Sequence, residues 1–393
     1  MIDLSVSAPF AFDWQPRTRL VFGAGCLSRL PEMALPLGKR ALIVTDAGIV
    51  AAGYVRQAQE LLDSAGLIVG VYDAVRENPT TDDVAACVDA ARIIQANLLI
   101  GLGGGSSMDT AKGANFLLTN GGRMSDYQGF GKATQPMLPL IAIPTTAGTG
   151  SEVQSYALIA DARTHQKMAC GDSKAAPQVA LLDPNLTLSL PRSVTAVTGM
   201  DALVHAVETA VTRKRNGVSL LFSQEAFRLL ILNFRRVLSV PSDSAARAAM
   251  LLGASYAGLA IENSMLGAAH SMANPLTAHF GITHGQAVGM ALPHVVRFNA
   301  AEPVAQTGYR DLIVAAGLAA PDISGEEAVH RLIGELESCL REAGMPRSLR
   351  ECGVAREAVP TLAAEAAAQW TAQFNPRPVS AEDFANLYHH ALS

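Results

Sequence analysis

Short apolar runs alternate with amphipathic segments through the first half of the chain. The apolar runs predict five buried strands, at residues 19–23, 41–45, 67–72, 97–101 and 138–144. Segments with helical spacing lie between them, at residues 55–65, 81–95 and 108–118. Apolar strands that alternate with helices are typical of a parallel sheet covered on both faces. The pattern therefore predicts an α/β, doubly wound, mainly parallel sheet of the Rossmann-like type, with further strands near its edge at 156–160 and 179–182.

The pattern changes near Leu190. From Val194 onward the spacing is helical nearly throughout, and alanine-rich segments occur at 244–260 and 361–372. We therefore predict two domains, a nucleotide-binding α/β domain at residues 1–190 and an all-α domain at residues 191–393.

Composition excludes several classes of protein. The 49% hydrophobic and 17% charged residues indicate a soluble globular chain, and the net charge of −5 contains no block of like charges that would favour nucleic acid. Apolar runs are too short to span a membrane, and the segment from Met1 to Arg19 lacks the features of a signal peptide. A cytoplasmic location is expected. The five cysteines are scattered without a CxxC pair, which predicts reduced thiols and no cysteine zinc site.

Three of the nine histidines, His270, His279 and His284, fall within fifteen residues of one another. Upstream, Asp201 and His205 are four residues apart and would share one face of a helix. Asp201, His205, His270 and His284 together offer one carboxylate and three imidazoles, a donor set that suits Fe²⁺ or Zn²⁺. Spacing alone also allows a surface hydrogen bond for the Asp/His pair and a core position for a lone histidine.

A glycine-rich turn, GLGGGSS, runs from Gly101 to Ser107, after a predicted strand and before a predicted helix. Glycines let phosphate groups approach the backbone, and the amino end of a helix stabilises their charge. The turn is not a GxGxxG fingerprint, because position 106 is serine. Tight packing of helix on strand is the alternative explanation of these glycines.

A second loop, PTTAGTGSE from Pro144 to Glu152, also follows a strand and could be an ordinary turn rich in hydroxyl groups. Two such loops in one sheet favour a cofactor, because ligands of open α/β sheets bind at the carboxyl ends of the strands. Asp46 ends a further strand, where an acid can accept hydrogen bonds from ribose hydroxyls and favour NAD over NADP. A helix cap is the alternative role of Asp46.

The motifs GLGGGSSMDTAK, PTTAGTGSE and GMDALVHAVE and the stretch with His270 and His284, in this order, resemble the iron-containing (group III) alcohol dehydrogenases. The likeness extends from Arg19 to about Asn299. It implies a dehydroquinate synthase-like architecture, with an NAD-binding domain at 1–190 and a helical metal-binding and catalytic domain at 191–393. It also implies hydride transfer between NAD and a primary alcohol or its aldehyde, a metal that polarises the substrate oxygen, and a homodimer or larger homo-oligomer.

Roles carried over from the resemblance fall into two sets. The implied metal ligands are Asp201, His205, His270 and His284, with Fe²⁺ expected and Zn²⁺ possible as the ion. The implied cofactor-binding residues are Asp46, Gly103, Gly104, Gly105, Ser106, Asp109, Thr145, Thr146, Thr149 and Lys167.

The chain departs from the family pattern where the substrate is expected. Asn274 replaces a histidine that many members use to pass the alcohol proton to solvent. We hypothesise that His279, or a water held by Asn274, takes over this relay. The alternative is that His279 only lines the pocket, for which Tyr156, Ile261 and Glu262 are further candidates.

Other functions of a protein with this fold stay open. One is a related reductase or dehydrogenase that acts on a polyol, a hydroxy acid or another functionalised alcohol. Others are a synthase of the dehydroquinate kind, a nucleotide sensor without catalysis, and a structural protein with core histidines. The complete set of one aspartate and three histidines argues against the synthase and the sensor, and a structural protein would require all four motifs to coincide by chance.

Overall fold

The computed structural model describes residues 12–164 and 166–393. Its strands are β1 (Arg19–Phe22), β2 (Arg40–Val44), β3 (Ile68–Tyr72), β4 (Leu98–Gly103), β5 (Gly129–Phe130), β6 (Leu140–Pro144), β7 (Tyr156–Ala160), β8 (Lys167–Gly171) and β9 (Val179–Leu182). Its α-helices are α1 (Leu30–Ala34), α2 (Ala47–Ala51), α3 (Tyr54–Ser64), α4 (Thr81–Ile93), α5 (Gly105–Asn120), α6 (Arg192–Thr209), α7 (Gly217–Ser239), α8 (Ser244–Asn263), α9 (Ala268–Phe280), α10 (His284–Asn299), α11 (Pro303–Ala315), α12 (Gly325–Ala343), α13 (Val359–Ala367) and α14 (Ala381–Ala391). The prediction about a signal peptide falls largely on residues 1–11, which lie outside the described residues.

The main sheet has six strands in the order β1-β9-β6-β4-β2-β3, and all its pairings are parallel. Val44 at the end of β2 pairs with Gly101, and Gly103 at the end of β4 pairs with Pro144. The carboxyl ends of β2, β4 and β6 therefore lie side by side. This sheet confirms the doubly wound parallel fold, and it brings the loops after these three strands to one edge.

Both faces of the main sheet are covered, as its continuous apolar runs indicate. Along β2, Ala41 and Ile43 belong to a buried cluster that includes residues of α1 and α3. Leu42 and Val44 point to the opposite face and join a cluster with residues of α4 and α5. Successive side chains of a strand alternate between faces, so each strand contributes to two cores.

A second sheet of three strands, in the order β5-β8-β7, corrects the sequence prediction. Strand β7 pairs antiparallel with β8, so it is not an edge strand of the main sheet. Strand β9 lies between β6 and the edge strand β1, near the edge of the main sheet as predicted. Strand β8 was not predicted, because only Met168 to Cys170 within it are apolar.

After β9 the described residues form helices and turns, which confirms the predicted helical second half. Helix α8 is long and apolar enough to cross a membrane by length and composition, but 61% of its most apolar window is buried inside the protein. Such burial is typical of a core helix. The five cysteines are thiols that form no disulfide with one another, as predicted.

The chain forms two compact units. One comprises Pro16–Ala202 and Leu232–Gly258, and it contains both sheets. The other includes Leu203–Ile231 and Leu259–Ser393, which are helical. The division falls inside helix α6, so one continuous helix belongs to both units. The domain boundary predicted at residue 190 stays a prediction.

Candidate metal centre and cofactor-binding edge

Helix α6 presents three polar residues on one face. Asp201, His205 and Glu208 are spaced by four and three residues, which places them one above the other on a helix. All three are buried, with 3–5% of their surface exposed. Three polar side chains on one helix face are buried together when they bind one another or a ligand.

Asp201 is grouped with His270 and His284. One ligand atom of each residue lies within 4.8 Å of those of the other two. His270 lies in the first turn of α9, and His284 is the first residue of α10. A carboxylate oxygen and two imidazole nitrogens are a donor set for a borderline divalent cation, so these residues fit a metal ion.

His205 lies beside this group. Its ring stacks on the ring of His270, with centroids 4.9 Å apart and an interplanar angle of 17°. The rings of His270 and His284 are 5.3 Å apart and tilted by 55°. His205 thus lies against His270, but it is not among the three residues whose ligand atoms lie within 4.8 Å of one another. Its role as a ligand stays a prediction.

Glu208 is a site residue that the sequence prediction missed. Its Oε2 lies 2.6 Å from Nδ1 of His270. An imidazole that gives its Nδ1 hydrogen to a carboxylate keeps Nε2 as the nitrogen that can bind a metal. The signal was present in the sequence, since Glu208 is the last residue of GMDALVHAVE and shares the helix face of Asp201 and His205.

The glycine-rich turn packs against the threonine loop. Gly103 has a φ of +154°, and a β-carbon there would collide with the hydroxyl of Ser107 and lie 3.4 Å from Oδ2 of Asp46. A β-carbon on Gly105, the first residue of α5, would lie 2.8 Å from the methyl carbon of Thr149. The loops after β2, β4 and β6 therefore meet at one place, and glycine is required there by close approach.

Unsatisfied hydroxyl groups mark the same edge. Thr45, Ser107 and Thr145 each have a buried hydroxyl oxygen without a hydrogen-bond partner among the described residues. The backbone N–H of Thr145 donates to the carbonyl of Gly103 at 2.9 Å, which ties the two loops together. Buried polar groups are normally satisfied, so such a cluster at strand ends is consistent with a polar ligand.

The predicted cofactor-binding residues Gly104, Ser106 and Thr146 are half-buried at this edge. A β-carbon on Gly104 would lie 3.5 Å from the methyl carbon of Thr146. The carbonyl of Ser106 accepts a hydrogen bond from the hydroxyl of Thr110 at 2.8 Å. The placement is compatible with their predicted contacts with phosphate, which stay predictions.

Asp46 caps helix α2. Its Oδ1 accepts hydrogen bonds from the backbone N–H groups of Gly48 at 2.9 Å and Ile49 at 3.1 Å. Helix capping is the alternative role that the sequence allowed for Asp46. The other carboxylate oxygen, Oδ2, lies near Gly103. The selection of NAD by Asp46 stays a prediction.

Asp109 and Lys112 hold the threonine loop on helix α5. The hydroxyl of Ser151 donates to Oδ1 of Asp109 at 2.7 Å, and Nζ of Lys112 donates to the carbonyl of Ser151 at 2.6 Å and to that of Tyr156 at 3.0 Å. Burial raises the pKa of Asp109, against the opposing effects of Lys112 and Ser151. Lys112 was not predicted, although it is the last residue of GLGGGSSMDTAK.

Lys167 is the first residue of β8 and is exposed overall. The pKa of its ammonium group is lowered, because partial removal from water outweighs the attraction of Asp109 and Asp201. The lysine therefore lies near both a predicted cofactor residue and a predicted metal ligand.

The two residues predicted for the proton relay have other partners. Nε2 of His279 lies 2.8 Å from Oε2 of Glu365, and both side chains are more than 40% exposed. Asn274 donates to Oε1 of Gln369 at 2.9 Å. The exposed pairing of His279 favours a structural role near the carboxyl end of α9, and a catalytic role for either residue stays a prediction.

The predicted pocket residues lie on two elements, Tyr156 on β7 and both Ile261 and Glu262 on α8. The ring of Tyr156 packs beside Phe130, with centroids 5.7 Å apart, and covers Gly171. Ile261 is buried and Glu262 is half-buried near the end of α8. Their contact with a substrate stays a prediction.

Comparison with known proteins decides the family. The family model "Iron-containing alcohol dehydrogenase" matches residues 16–184, and "Fe-containing alcohol dehydrogenase family, C-terminal" matches residues 195–392. The chain belongs to the iron-containing alcohol dehydrogenase family. This confirms the resemblance drawn from the four motifs. The protein is an alcohol/aldehyde oxidoreductase of this family, and the family implies a metal.

Relatives match this member of the family over nearly its whole length. Lactaldehyde reductase of Escherichia coli K12 is 35% identical, with 94% of this chain and 97% of that protein covered. NAD-dependent methanol dehydrogenase of Bacillus methanolicus is 34% identical, with 95% and 97% covered. The solved structure of an alcohol dehydrogenase from Oenococcus oeni is 31% identical and superimposes with a TM-score of 0.93, over 97% of this chain and 100% of that one.

Proposed function

We propose that this chain is an NAD-linked, metal-dependent dehydrogenase that interconverts a small, primary alcohol and its aldehyde. The observation that carries the proposal is the convergence of Asp201, His270 and His284 on one point. Asp201 and His270 are buried and His284 is half-buried, and such a group of a carboxylate and two imidazoles is more costly to assemble without an ion than with one.

In this proposal, Asp201, His205, His270 and His284 hold the ion, Fe²⁺ first and Zn²⁺ as the alternative. A bound divalent ion would supply Lewis-acid chemistry at the substrate oxygen, which lowers the pKa of an alcohol. All four proposed ligands lie on helices, Asp201 and His205 within α6 and His270 and His284 in the first turns of α9 and α10, which would fix their positions before the ion binds.

NAD would bind at the carboxyl edge of the main sheet and supply the hydride acceptor. The backbone N–H groups at the start of α5 and the glycines from Gly103 to Gly105 can receive its phosphates. Asp46 can accept from the ribose through Oδ2, and the threonines of the second loop donate. The unsatisfied hydroxyls of Ser107 and Thr145 support a polar ligand at this edge.

The relatives support a small substrate. Their names include lactaldehyde reductase, methanol dehydrogenase and 1,3-propanediol dehydrogenase. We infer that this chain also acts on a short-chain alcohol, and the diol relative keeps a polyol or another functionalised alcohol as the alternative. Glu262 could bind a polar end of such a substrate.

Three further points complete the proposal. Residues 1–190 act as the NAD-binding domain and residues 191–393 as the helical metal-binding and catalytic domain. Like other members of its family, the protein is expected to be a homodimer or larger homo-oligomer. It acts in the cytoplasm on small molecules, without nucleic acid or membrane as a partner.

The test is NADH formation with a panel of 1-alkanols, diols, and amino and acidic alcohols, together with the metal content of each preparation. The proposal predicts turnover on at least one short-chain alcohol, and loss of both metal and turnover in His270→Ala. Wild-type protein that binds metal but reduces NAD with no member of the panel would contradict it.

A further inference from the structure

We propose that Glu208 is a positioning residue that sets the tautomer and orientation of His270 for metal binding. The inference rests on the proposed metal centre and assigns a role to a residue outside the predicted ligand set. It depends on contacts within α6 and α9 and on the chemistry of a carboxylate.

The carboxylate of Glu208 accepts hydrogen bonds from three N–H groups of one short segment. Its Oε2 accepts from the backbone N–H of Gly267 at 3.1 Å and lies 2.6 Å from Nδ1 of His270. Its Oε1 accepts from the backbone N–H of Ala269 at 2.7 Å. The side chain is only 3% exposed. A single carboxylate thus binds both the start of helix α9 and the imidazole in its first turn.

These contacts determine which ring nitrogen of His270 carries the hydrogen. An ionised carboxylate only accepts hydrogen bonds, so Nδ1 of His270 must carry the hydrogen and Nε2 must keep its lone pair. The amino end of α9 stabilises the negative charge of Glu208, because the first N–H groups of a helix lack partners within it. The helix that carries His270 therefore also stabilises the residue that orients it.

Glutamine cannot reproduce this arrangement at position 208. All three groups that face the side chain are N–H donors, whereas an amide has one accepting oxygen and one donating nitrogen. If the amide nitrogen faces Ala269, a bond to the helix is lost. If it faces His270, it donates to Nδ1 and forces the hydrogen onto Nε2, which can then no longer bind a metal.

Asn375 provides a matched control. Its Oδ1 accepts from the backbone N–H of Ala268 at 3.3 Å, between the two N–H groups that Glu208 receives. Its amide nitrogen donates to Asn299 at 2.7 Å. Asn375 therefore supports the same helix end through the backbone rather than through a ring nitrogen of His270. Its replacement weakens the same helix end, and the bonds to Asn299 and Arg377 with it, without removing this carboxylate partner of the His270 ring.

The experiment measures the dissociation constant of Zn²⁺ by competition with a chelator, without substrate or NAD. Full-length wild type, Glu208→Gln, Glu208→Ala, Glu208→Asp and Asn375→Ala are compared, and thermal unfolding of each metal-free protein is recorded. We expect Glu208→Gln and Glu208→Ala to bind Zn²⁺ about 10- to 100-fold more weakly, as is usual when such a partner of a ligand is removed. Glu208→Asp should recover part of the affinity, and Asn375→Ala should lower the Tm with little change in Zn²⁺ affinity.

Two results would overturn the inference. One is Zn²⁺ binding as tight as that of the wild type by Glu208→Ala, which leaves Nδ1 of His270 without this acceptor. The other is that the Glu208 variants lose no more Zn²⁺ affinity than Asn375→Ala does when their Tm values fall by the same amount. Glu208 would then only stabilise the fold. Wild-type protein that binds no Zn²⁺ would instead contradict the proposed metal centre itself, so the two failures are distinguishable.

Discussion

Thr149 packs directly against Gly105, where a β-carbon on the glycine would lie 2.8 Å from the methyl carbon and 2.9 Å from the hydroxyl of the threonine. Glycine thus allows the loop after β6 to rest on the first residue of α5. Both segments were predicted to bind the cofactor, and the contact makes their positions depend on each other.

Gly105→Ala should therefore impair cofactor binding. Threonine is short and branched, so it cannot rotate away from an added methyl group, and overpacking of this kind costs typically about 1–3 kcal/mol. We expect the KM for NAD to rise about tenfold, since ~1.4 kcal/mol corresponds to a tenfold change in affinity.

Gly334→Ala is the control for this substitution. Gly334 lies within α12, and a β-carbon there would meet nothing within 4 Å. Alanine should stabilise the helix by about 0.5–1 kcal/mol and leave the KM unchanged. Equal kinetics for the two variants would refute the proposed role of the Gly105 contact.

Asp46→Asn should relax the preference for NAD. The amide oxygen can still cap α2 through Gly48 and Ile49, so the fold should be retained, whereas Asp46→Ala should lose about 1 kcal/mol with the cap. Removal of the negative charge removes its repulsion of a 2′-phosphate, worth roughly 1–4 kcal/mol at close range. The ratio of kcat/KM for NADP to that for NAD should rise at least about tenfold. An unchanged ratio in the stable asparagine variant would leave Asp46 as a helix cap only.

Glu152 should make stability depend on pH. It is 2% exposed, and burial raises its pKa to about 6, against an opposing hydrogen bond with Ser255. Because the folded state holds this proton more tightly than the unfolded state, the contribution of Glu152 to stability is present below about pH 4.5 and is lost as the pH rises through 6. A raised pKa of this size corresponds to about 2 kcal/mol.

Urea unfolding of wild type and Glu152→Gln at several pH values measures this effect. The stability of the variant relative to the wild type should increase by about 2 kcal/mol between pH 4.5 and pH 7.5. Other carboxylates titrate in both proteins and cancel in the comparison. A difference that does not vary with pH would show that Glu152 has no raised pKa.

His279→Gln should leave the pH profile of kcat unchanged. His279 pairs with Glu365 at an exposed position, and such pairs contribute at most about 1 kcal/mol. We therefore expect a small change in the free energy of unfolding. The plot of kcat against pH should keep both its acidic and its basic limb. A shifted profile would establish the relay that the absence of a histidine at position 274 suggested.

Local patterns account for the parts of the fold and site that were predictable. The ends of β2, β4 and β6 could be read from apolar runs, and parallel pairing necessarily brings Asp46, Gly103 and Thr145 to one edge. The spacing of Asp201 and His205 likewise fixes their shared helix face. Each of these inferences needs only a strand or helix period and one general rule of sheet topology.

Contacts between distant residues could not be predicted in the same way. Lys112 binds Ser151 across 39 positions of sequence, and Glu208 binds His270 across 62. Both are the last residues of motifs whose other members were assigned, and a charged residue at the end of a motif is usually solvated. The pairing of His279 with Glu365 could not be predicted for the same reason, because 86 positions separate the two residues in the sequence.

Metal dependence of turnover tests the central claim most directly. Protein freed of metal with a chelator is titrated with Fe²⁺ under anaerobic conditions, and the rate of NADH formation with the best alcohol is followed. We expect no NADH formation without metal, a rate that rises with added metal and saturates at one equivalent per chain, and no such rise in His270→Ala. A full rate in the metal-free protein, or none at any level of added Fe²⁺ or Zn²⁺, would contradict it.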